Sequence, residues 1–158
     1  MKETSIFAAG CFWGVEEAFR KINGVIETEV GYTGGHAQNP TYEEVCANKT
    51  GHAEAIQITY DSEKISYAKL LELFFGLHDP TQINRQGPDF GSQYRSAIFY
   101  LNQKQKKEAE EMKQKLNKSG KYSEPIATEI TKATEFFKAE EYHQKYIKKT
   151  GRNVCWSN

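Results

Sequence analysis

The sequence predicts an α+β fold, a two-layer α/β sandwich with a ferredoxin-like βαββαβ core. Two observations carry that prediction. Apolar residues recur with a period of two in some segments and of three to four in others. The segments follow one another as strand, helix, strand, strand, helix, strand, with one more helix–strand pair and a last helix behind them.

Taken in order, Ser5–Ala9 is a short buried strand. Beyond Gly10, the residues Phe12, Val15, Phe19 and Ile22 step by three and four, an amphipathic helix closed by Asn23-Gly24. Val25–Tyr32 is strand-like, and a long Gly-, Asn- and Pro-rich loop follows from Thr33 to Ala53. Glu54–Tyr60 alternates as a strand. Tyr67, Leu70, Leu71, Phe74 and Phe75 make a second helix, ended by Asp79-Pro80. A second long loop, Thr81 to Gln93, precedes the strand Arg95–Leu101. Charge is dense from Lys104 to Lys118 above Ala109, Met112 and Leu116, the pattern of a helix with a solvated face. A strand at Ile126–Ile130 and a helix near Ala139–Lys149 complete the chain. Long structureless loops inside a compact domain usually serve function, so the two loops and the Gly10-Cys11 turn are where chemistry is expected.

The 158 residues are read as one domain, 1–158, with a mobile tail from about residue 150. Lys+Arg and Asp+Glu are both 21, so the formal net charge is zero, which argues against a nucleic-acid or membrane-surface binder held by charge. No apolar run approaches the roughly 20 residues of a membrane span. An aromatic content of 13% speaks for a packed globule. The apolar stretch Ile6–Ala9 is too short for a signal peptide, and three cysteines do not make a disulfide framework. A reducing cytoplasm is the expected location.

Cys11 falls at the start of the first helix, where unpaired N–H groups and the helix dipole favour a thiolate. It is read either as a nucleophile or as a small buried hydrophobe. Phe12 and Trp13 are core residues in the second case and walls of an apolar pocket in the first. Glu54 lies on one strand face with Ile56, Ile58 and Tyr60. It would become a neutral general acid if buried, and an ordinary surface carboxylate if turned outward. His52, on the same parity, is expected to make a loop hydrogen bond. His52-Ala53-Glu54 has the H-x-E spacing of zinc deaminases, but no P-C-x-x-C follows. The remaining Cys and His residues have no ligand spacing either, so no metal is expected. Tyr42 and Tyr94, in the two loops, are hydrogen-bond donors or packing residues, and Asp89 has the surroundings of a turn residue. Cys155, on the tail, and Cys46, in the first loop, could each approach an oxidised Cys11.

These residues sit in segments that resemble the A-class peptide methionine sulfoxide reductases. The match runs through Gly10-Cys11-Phe12-Trp13-Gly14, Gly31-Tyr32-Thr33-Gly34-Gly35, Asn39-Pro40-Thr41-Tyr42 and Gly51-His52-Ala53-Glu54-Ala55. It continues through His78-Asp79-Pro80-Thr81, Gln93-Tyr94-Arg95-Ser96 and Tyr142-His143-Gln144, nearly the whole length of the chain. The resemblance implies the same βαββαβ core. It implies reduction of the S epimer of methionine sulfoxide, free or in proteins, with Cys11 attacking the sulfoxide sulfur. Glu54, helped by Tyr42 and Tyr94, would serve the departing oxygen; Phe12 and Trp13 would hold the S-methyl group, and Asp89 would line the site. A sulfenic acid on Cys11 would then condense with a second thiol, Cys155 being favoured and Cys46 the alternative. Thioredoxin would reduce the disulfide, with no bound cofactor. A monomer is expected, since no heptad seam marks a partner helix. A thiol peroxidase and a non-catalytic reader of oxidised methionine are the rival readings.

Overall fold

The structure, a computed structural model, describes residues 1–152. The chain runs β1 (Lys2–Ala9), α1 (Phe12–Arg20), β2 (Val25–Thr33), α2 (Tyr42–Cys46), β3 (Ala53–Asp61) and α3 (Tyr67–Gly76). It continues through the tiny hairpin β4 (Arg85–Gln86) and β5 (Asp89–Phe90), then β6 (Ser96–Tyr100), α4 (Gln103–Lys118), β7 (Glu129–Lys132), β8 (Phe137–Lys138) and α5 (Tyr146–Thr150). Six strands form one sheet in the order β7-β6-β1-β3-β2-β8. Its inner four, β6-β1-β3-β2, pair antiparallel throughout, which is the split βαβ arrangement the element order predicts. β7 is added parallel to β6 through the crossover helix α4, and β8 is added antiparallel to β2. Among the described residues no helix is long and apolar enough to cross a membrane.

The central strands bury both faces, and strand parity divides their side chains between two clusters. Phe7, Ile56, Ile58, Tyr60 and Ile98 meet Val15 and Phe19 of α1 and Leu70, Leu71, Phe74 and Phe75 of α3. Ala109 of α4 joins them, with Met112 and Leu116 partly buried beside it, so the charged helix presents its solvated face as expected. On the opposite face the smaller set Ile6, Ala8, Ala53, Ala55, Ala97 and Phe99 lies under Ala133 and Phe136. A third cluster gathers Phe12, Val30, Tyr32, Val45 and Ala139, with Trp13 and Tyr42 on its margin. It lies beside the α1 N-terminus.

Three expectations are corrected. The loop from Thr33 to Ala53 contains a helix, α2, opened by a full capping box in which Thr41 and Glu44 each bond the other's backbone. The strand expected at Ile126–Ile130 begins at Glu129, because Ile126 is taken into the helix-side core. In place of the helix expected near Ala139–Lys149, which β8 precedes, the chain forms a 3-10 turn at Glu141–His143 and the short α5. Tertiary hydrogen bonds override the helical spacing there. Gln144 exchanges bonds with the Val30 N–H and C=O, both at 2.9 Å, as a backbone neighbour would. Buried Glu16 accepts from the Lys145 N–H at 2.6 Å, and Lys145 sits in the left-handed region at φ 53°. The segment is thus stitched onto α1 and β2 by side chains.

Gly31 lies where β2 meets β8, and a Cβ there would run into the Phe137 carbonyl oxygen and the Phe136 ring. Gly31→Ala is therefore expected to destabilise the protein by about 1–3 kcal/mol through overpacking. Chemical denaturation reads this directly, and a midpoint equal to wild type would contradict the packing described.

Candidate active site

Cys11 is the N-cap residue of α1, partly exposed, immediately after Gly10 at φ 97°. The positive φ turns the chain sharply from the end of β1 into the helix, a conformation glycine adopts without strain. The helix begins at Phe12, so Cys11 occupies the end where orphan N–H groups and the macrodipole favour negative charge.

One of those N–H groups is already engaged. The Phe12 N–H donates to Oε1 of Glu54 at 3.2 Å, tying α1 to the start of β3. Glu54 is 2% exposed and lies on the helix-side parity of β3 with Ile56 and Ile58, as its spacing predicts. Its other oxygen, Oε2, is buried with no hydrogen-bond partner among the described residues. Burial pushes the carboxyl pKa up to about 8; the Phe12 N–H opposes this and the charge of Asp89 adds to it. Desolvation outweighs the single hydrogen bond, so the acid is largely neutral at pH 7.

The remaining sequence-predicted residues gather around this pair, apart from Cys155, which lies outside the described residues. Tyr42 opens α2 and Tyr94 ends the 3-10 turn Ser92–Tyr94. Burial, and then the charge of Glu54, raises the pKa of both phenols, so they remain hydroxyl donors. Asp89 begins β5, and burial raises its pKa. Phe12 is buried against Tyr32, with ring centroids 5.7 Å apart, while Trp13 is half-buried. His52 makes the loop hydrogen bonds expected of it, accepting from the Gly35 N–H at 3.0 Å and bonding the Ala37 carbonyl at 2.7 Å. No group of His, Cys, Asp and Glu among the described residues could hold a metal ion.

Three further residues lie close by: Cys46 is the alternative second thiol that the sequence offers, whereas Glu140 and His143 escape a reading of the sequence alone. Cys46, at the end of α2, is a free thiol hydrogen-bonded to Tyr42, and burial pushes its pKa up. Glu140 accepts from the Tyr32 hydroxyl at 2.8 Å and from the Tyr42 N–H at 3.0 Å. Burial works against its charge, but these donors hold its pKa below the ordinary carboxylate value. His143 lies among the rings of Phe12, Trp13, Tyr42 and Tyr142. The T-x-x-E signature at Thr41 could have located α2 and hence Cys46. Nothing local announces the contacts of Glu140 and His143, which come from a hundred residues away.

A helix-capping cysteine beside a neutral acid, with phenols and an aromatic wall around them, suits an oxidoreductase that works through thiols. A family model described as peptide methionine sulfoxide reductase matches residues 3–158. Peptide methionine sulfoxide reductase MsrA of Methanothermobacter thermautotrophicus is 52% identical over 154 residues, which cover 98% of this chain and 91% of that one. Mxr1 of Saccharomyces cerevisiae in its reduced form matches with a TM-score of 0.91 at 35% identity, over 98% of this chain and 88% of that one. Mxr1 in complex with Trx2 matches with a TM-score of 0.65 at 26% identity, over 92% and 84% of the two chains. The chain belongs to the peptide methionine sulfoxide reductase family, in its A class.

The raised pKa of Glu54 has a measurable sign. Between the ordinary carboxylate value of 4.5 and about 8, the unfolded chain releases the Glu54 proton while the folded protein keeps it. Folding stability is fully present below that window and is lost across it as pH rises, by up to about 1.4 kcal/mol per pH unit. Denaturation of wild type and Glu54→Gln over this range should show the slope reduced in the variant. Equal slopes would mean that Glu54 titrates normally.

Proposed function

We propose that the chain reduces methionine S-sulfoxide, free or in proteins, with Cys11 as nucleophile and Glu54 as general acid. The observation that carries this reading is the Phe12 N–H bond to Glu54 Oε1, one residue beyond Cys11, with Oε2 unpartnered among the described residues. The bonded oxygen serves as the carbonyl of a neutral acid. The proton then resides on Oε2, available to the sulfoxide oxygen. The Tyr42 and Tyr94 hydroxyls steady the same oxygen, the Phe12 and Trp13 rings hold the S-methyl group, and Asp89 helps to keep Glu54 protonated.

The Cys11 thiolate attacks the sulfoxide sulfur while Glu54 protonates the oxygen. The oxygen passes to Cys11, leaving a sulfenic acid and releasing methionine. A second thiol displaces water from the sulfenic acid and forms a disulfide. Two thiols of thioredoxin then reduce that disulfide by exchange, so each cycle converts sulfoxide and dithiol to methionine, disulfide and water. The electrons come from thiols throughout, and no bound cofactor is invoked. The yeast relative's complex with its thioredoxin, Trx2, supports thioredoxin as the reductant.

Cys155 is the favoured resolving thiol. Attack on a sulfenic acid needs a thiolate, and burial holds Cys46 above the ordinary thiol pKa, which makes it the slower alternative.

Single-turnover reduction of each sulfoxide epimer by the pre-reduced protein tests the scheme. Wild type should yield methionine from the S epimer alone, with two thiols lost per methionine. Cys11→Ser should yield none, and any methionine from it would remove Cys11 as nucleophile. Cys155→Ser should complete one turnover but lose thioredoxin-driven cycling; normal cycling would pass the resolving role to Cys46 or to direct reduction of the sulfenic acid. Glu54→Gln can donate a hydrogen bond but not a proton, and should be slower by about 100-fold or more. A wild-type rate would take Glu54 out of acid catalysis.

A further inference from the structure

We propose that Gln86 is a positioning residue for the reaction: its side-chain amide pairs with both backbone groups of Asp79, anchors the β4–β5 hairpin beyond the end of α3, and so holds Asp89 beside Glu54. The proposal rests on the reading of Glu54 as the acid and of Asp89 as the charge that helps to keep it protonated.

The hairpin is too small to hold its own place. Arg85 pairs with Phe90 and Gln86 with Asp89, and a two-stranded hairpin on its own is marginal in water. The neighbouring bonds shape the loop without fixing it to the sheet. The Gly87 N–H donates to Gln82 Oε1 at 2.7 Å, the Arg85 guanidinium to the Gly87 carbonyl at 2.8 Å, and the Gly91 N–H to the Asn84 carbonyl at 2.9 Å. All three close within residues 82–91. Phe90, on the outer face, is 67% exposed and meets the Arg85 guanidinium 4.4 Å from its ring centre.

Gln86 makes the connection that leaves this loop. It is 1% exposed; its Oε1 accepts the Asp79 N–H and its Nε2 donates to the Asp79 carbonyl, both at 2.8 Å. A carboxamide carries the same donor and acceptor as a peptide group, so it forms with Asp79 the reciprocal pair of an antiparallel ladder. Asp79 is a firm anchor. It follows buried His78, whose ring nitrogens lie 2.7 Å from the Phe74 carbonyl and 2.7 Å from Ser96 Oγ. It precedes Pro80, whose carbonyl accepts the Ala127 N–H at 2.7 Å.

Residues directly opposed in an antiparallel pair project to the same face, so Gln86 and Asp89 leave the hairpin together. Burial chiefly raises the Glu54 pKa; the Phe12 N–H opposes it, and the charge of Asp89 adds to burial. A Coulomb interaction depends on separation, so this contribution lasts only while the hairpin stays in place. Glu54 also acts on the Tyr32, Tyr42 and Tyr94 phenols and the Cys46 thiol, and burial raises the pKa of each, so these groups stay neutral where Glu54 titrates. Cys11, at the adjoining helix end, is the same in every variant.

Gln86→Leu keeps most of the side-chain volume and has neither hydrogen bond. Asp89→Asn removes the charge and leaves the anchor. The single-turnover rate of the pre-reduced protein is measured against pH at saturating S-sulfoxide. Wild type should lose rate along an alkaline limb centred at about pH 8, where Glu54 gives up its proton. Gln86→Leu should move that limb to lower pH by roughly half a unit, the size of one charge receding by a few ångströms at an effective dielectric of about 20. Asp89→Asn should move it at least as far, and the double variant no further than Asp89→Asn alone. A merely structural loss would lower the rate at every pH without moving the limb. In 15N-labelled wild type, the Asp79 N–H and one Gln86 side-chain N–H should exchange slowly with solvent.

An unmoved limb in Gln86→Leu would overturn the proposal, as would a double variant whose shift is the sum of the two. Exchange of both protons at the rate of free amides in wild type would overturn it even if no variant folds. An Asp89→Asn limb equal to wild type would show that Asp89 does not act on Glu54, and the proposal would fall with it. Glu54→Gln tests the underlying reading separately. An alkaline limb that persists there does not belong to Glu54 and removes both the acid and the proposal, whereas its loss there beside an unmoved limb in Gln86→Leu removes the proposal alone.

Discussion

The hydrogen bond from the Phe12 N–H to Glu54 is the constraint on which the rest of the site depends. It joins the helix that carries Cys11 to a central strand of the sheet, and it decides how the positive end of that helix is used. An ionised carboxylate at this position would take most of the field of the helix terminus for itself. Burial prevents this: desolvation exceeds the effect of one N–H donor and leaves the carboxyl with a pKa near 8. A neutral Glu54 places no negative charge beside Cys11, so the helix end remains available to a thiolate.

A consequence concerns the second thiol nearby. Cys46 is bonded to Tyr42, and after burial the charges of Glu43, Glu140 and, once it ionises above about pH 8, Glu54 all oppose its ionisation. Of the two described cysteines, Cys11 stands at a helix N-terminus, where the dipole favours negative charge, and Cys46 at a helix C-terminus, where it does not. The Tyr42 hydroxyl, in turn, is held on one side by Cys46, while its backbone is held by Glu140.

What the sequence made legible follows the range of the interactions involved. Period-two alternation located β3, a short apolar run marked β1, and strand parity put Glu54 on one face with Ile56, Ile58 and Tyr60 without deciding whether its carboxyl was buried. The α1 turn was legible because Gly10 and the spacing of Phe12, Val15 and Phe19 are local signals. α2 was equally local, since Thr41 and Glu44 spell a capping box, but it lay inside a Gly-rich stretch read as loop. The 139–150 segment was misread for a different reason. Its apolar spacing is helical, yet Glu140 and Gln144 spend their side chains on β2 and α2, and Lys145 leaves the helical region to reach Glu16.

That segment shows why an active-site wall can be built from chain that is neither strand nor continuous helix. A regular helix over Ala139–Lys149 would satisfy its own backbone and leave its side chains to pack by period alone. Broken at Lys145, the chain gives up intrahelical bonds; the Lys145 N–H donates instead to Glu16 and the Ala139 N–H to the Val30 carbonyl, while the Glu140 and Gln144 side chains accept from the Tyr42 and Val30 N–H groups. Buried polar groups that are fully paired specify one geometry where apolar packing tolerates several. The aromatic residues brought in by this route, His143 and Tyr146, meet Trp13 on the first turn of α1, one residue beyond Phe12 and its bond to Glu54. Segments from near the two ends of the described chain are therefore fastened to the same helical turn, and the seat of the Trp13 indole and the environment of the Glu54 carboxyl are set from a single place in the fold.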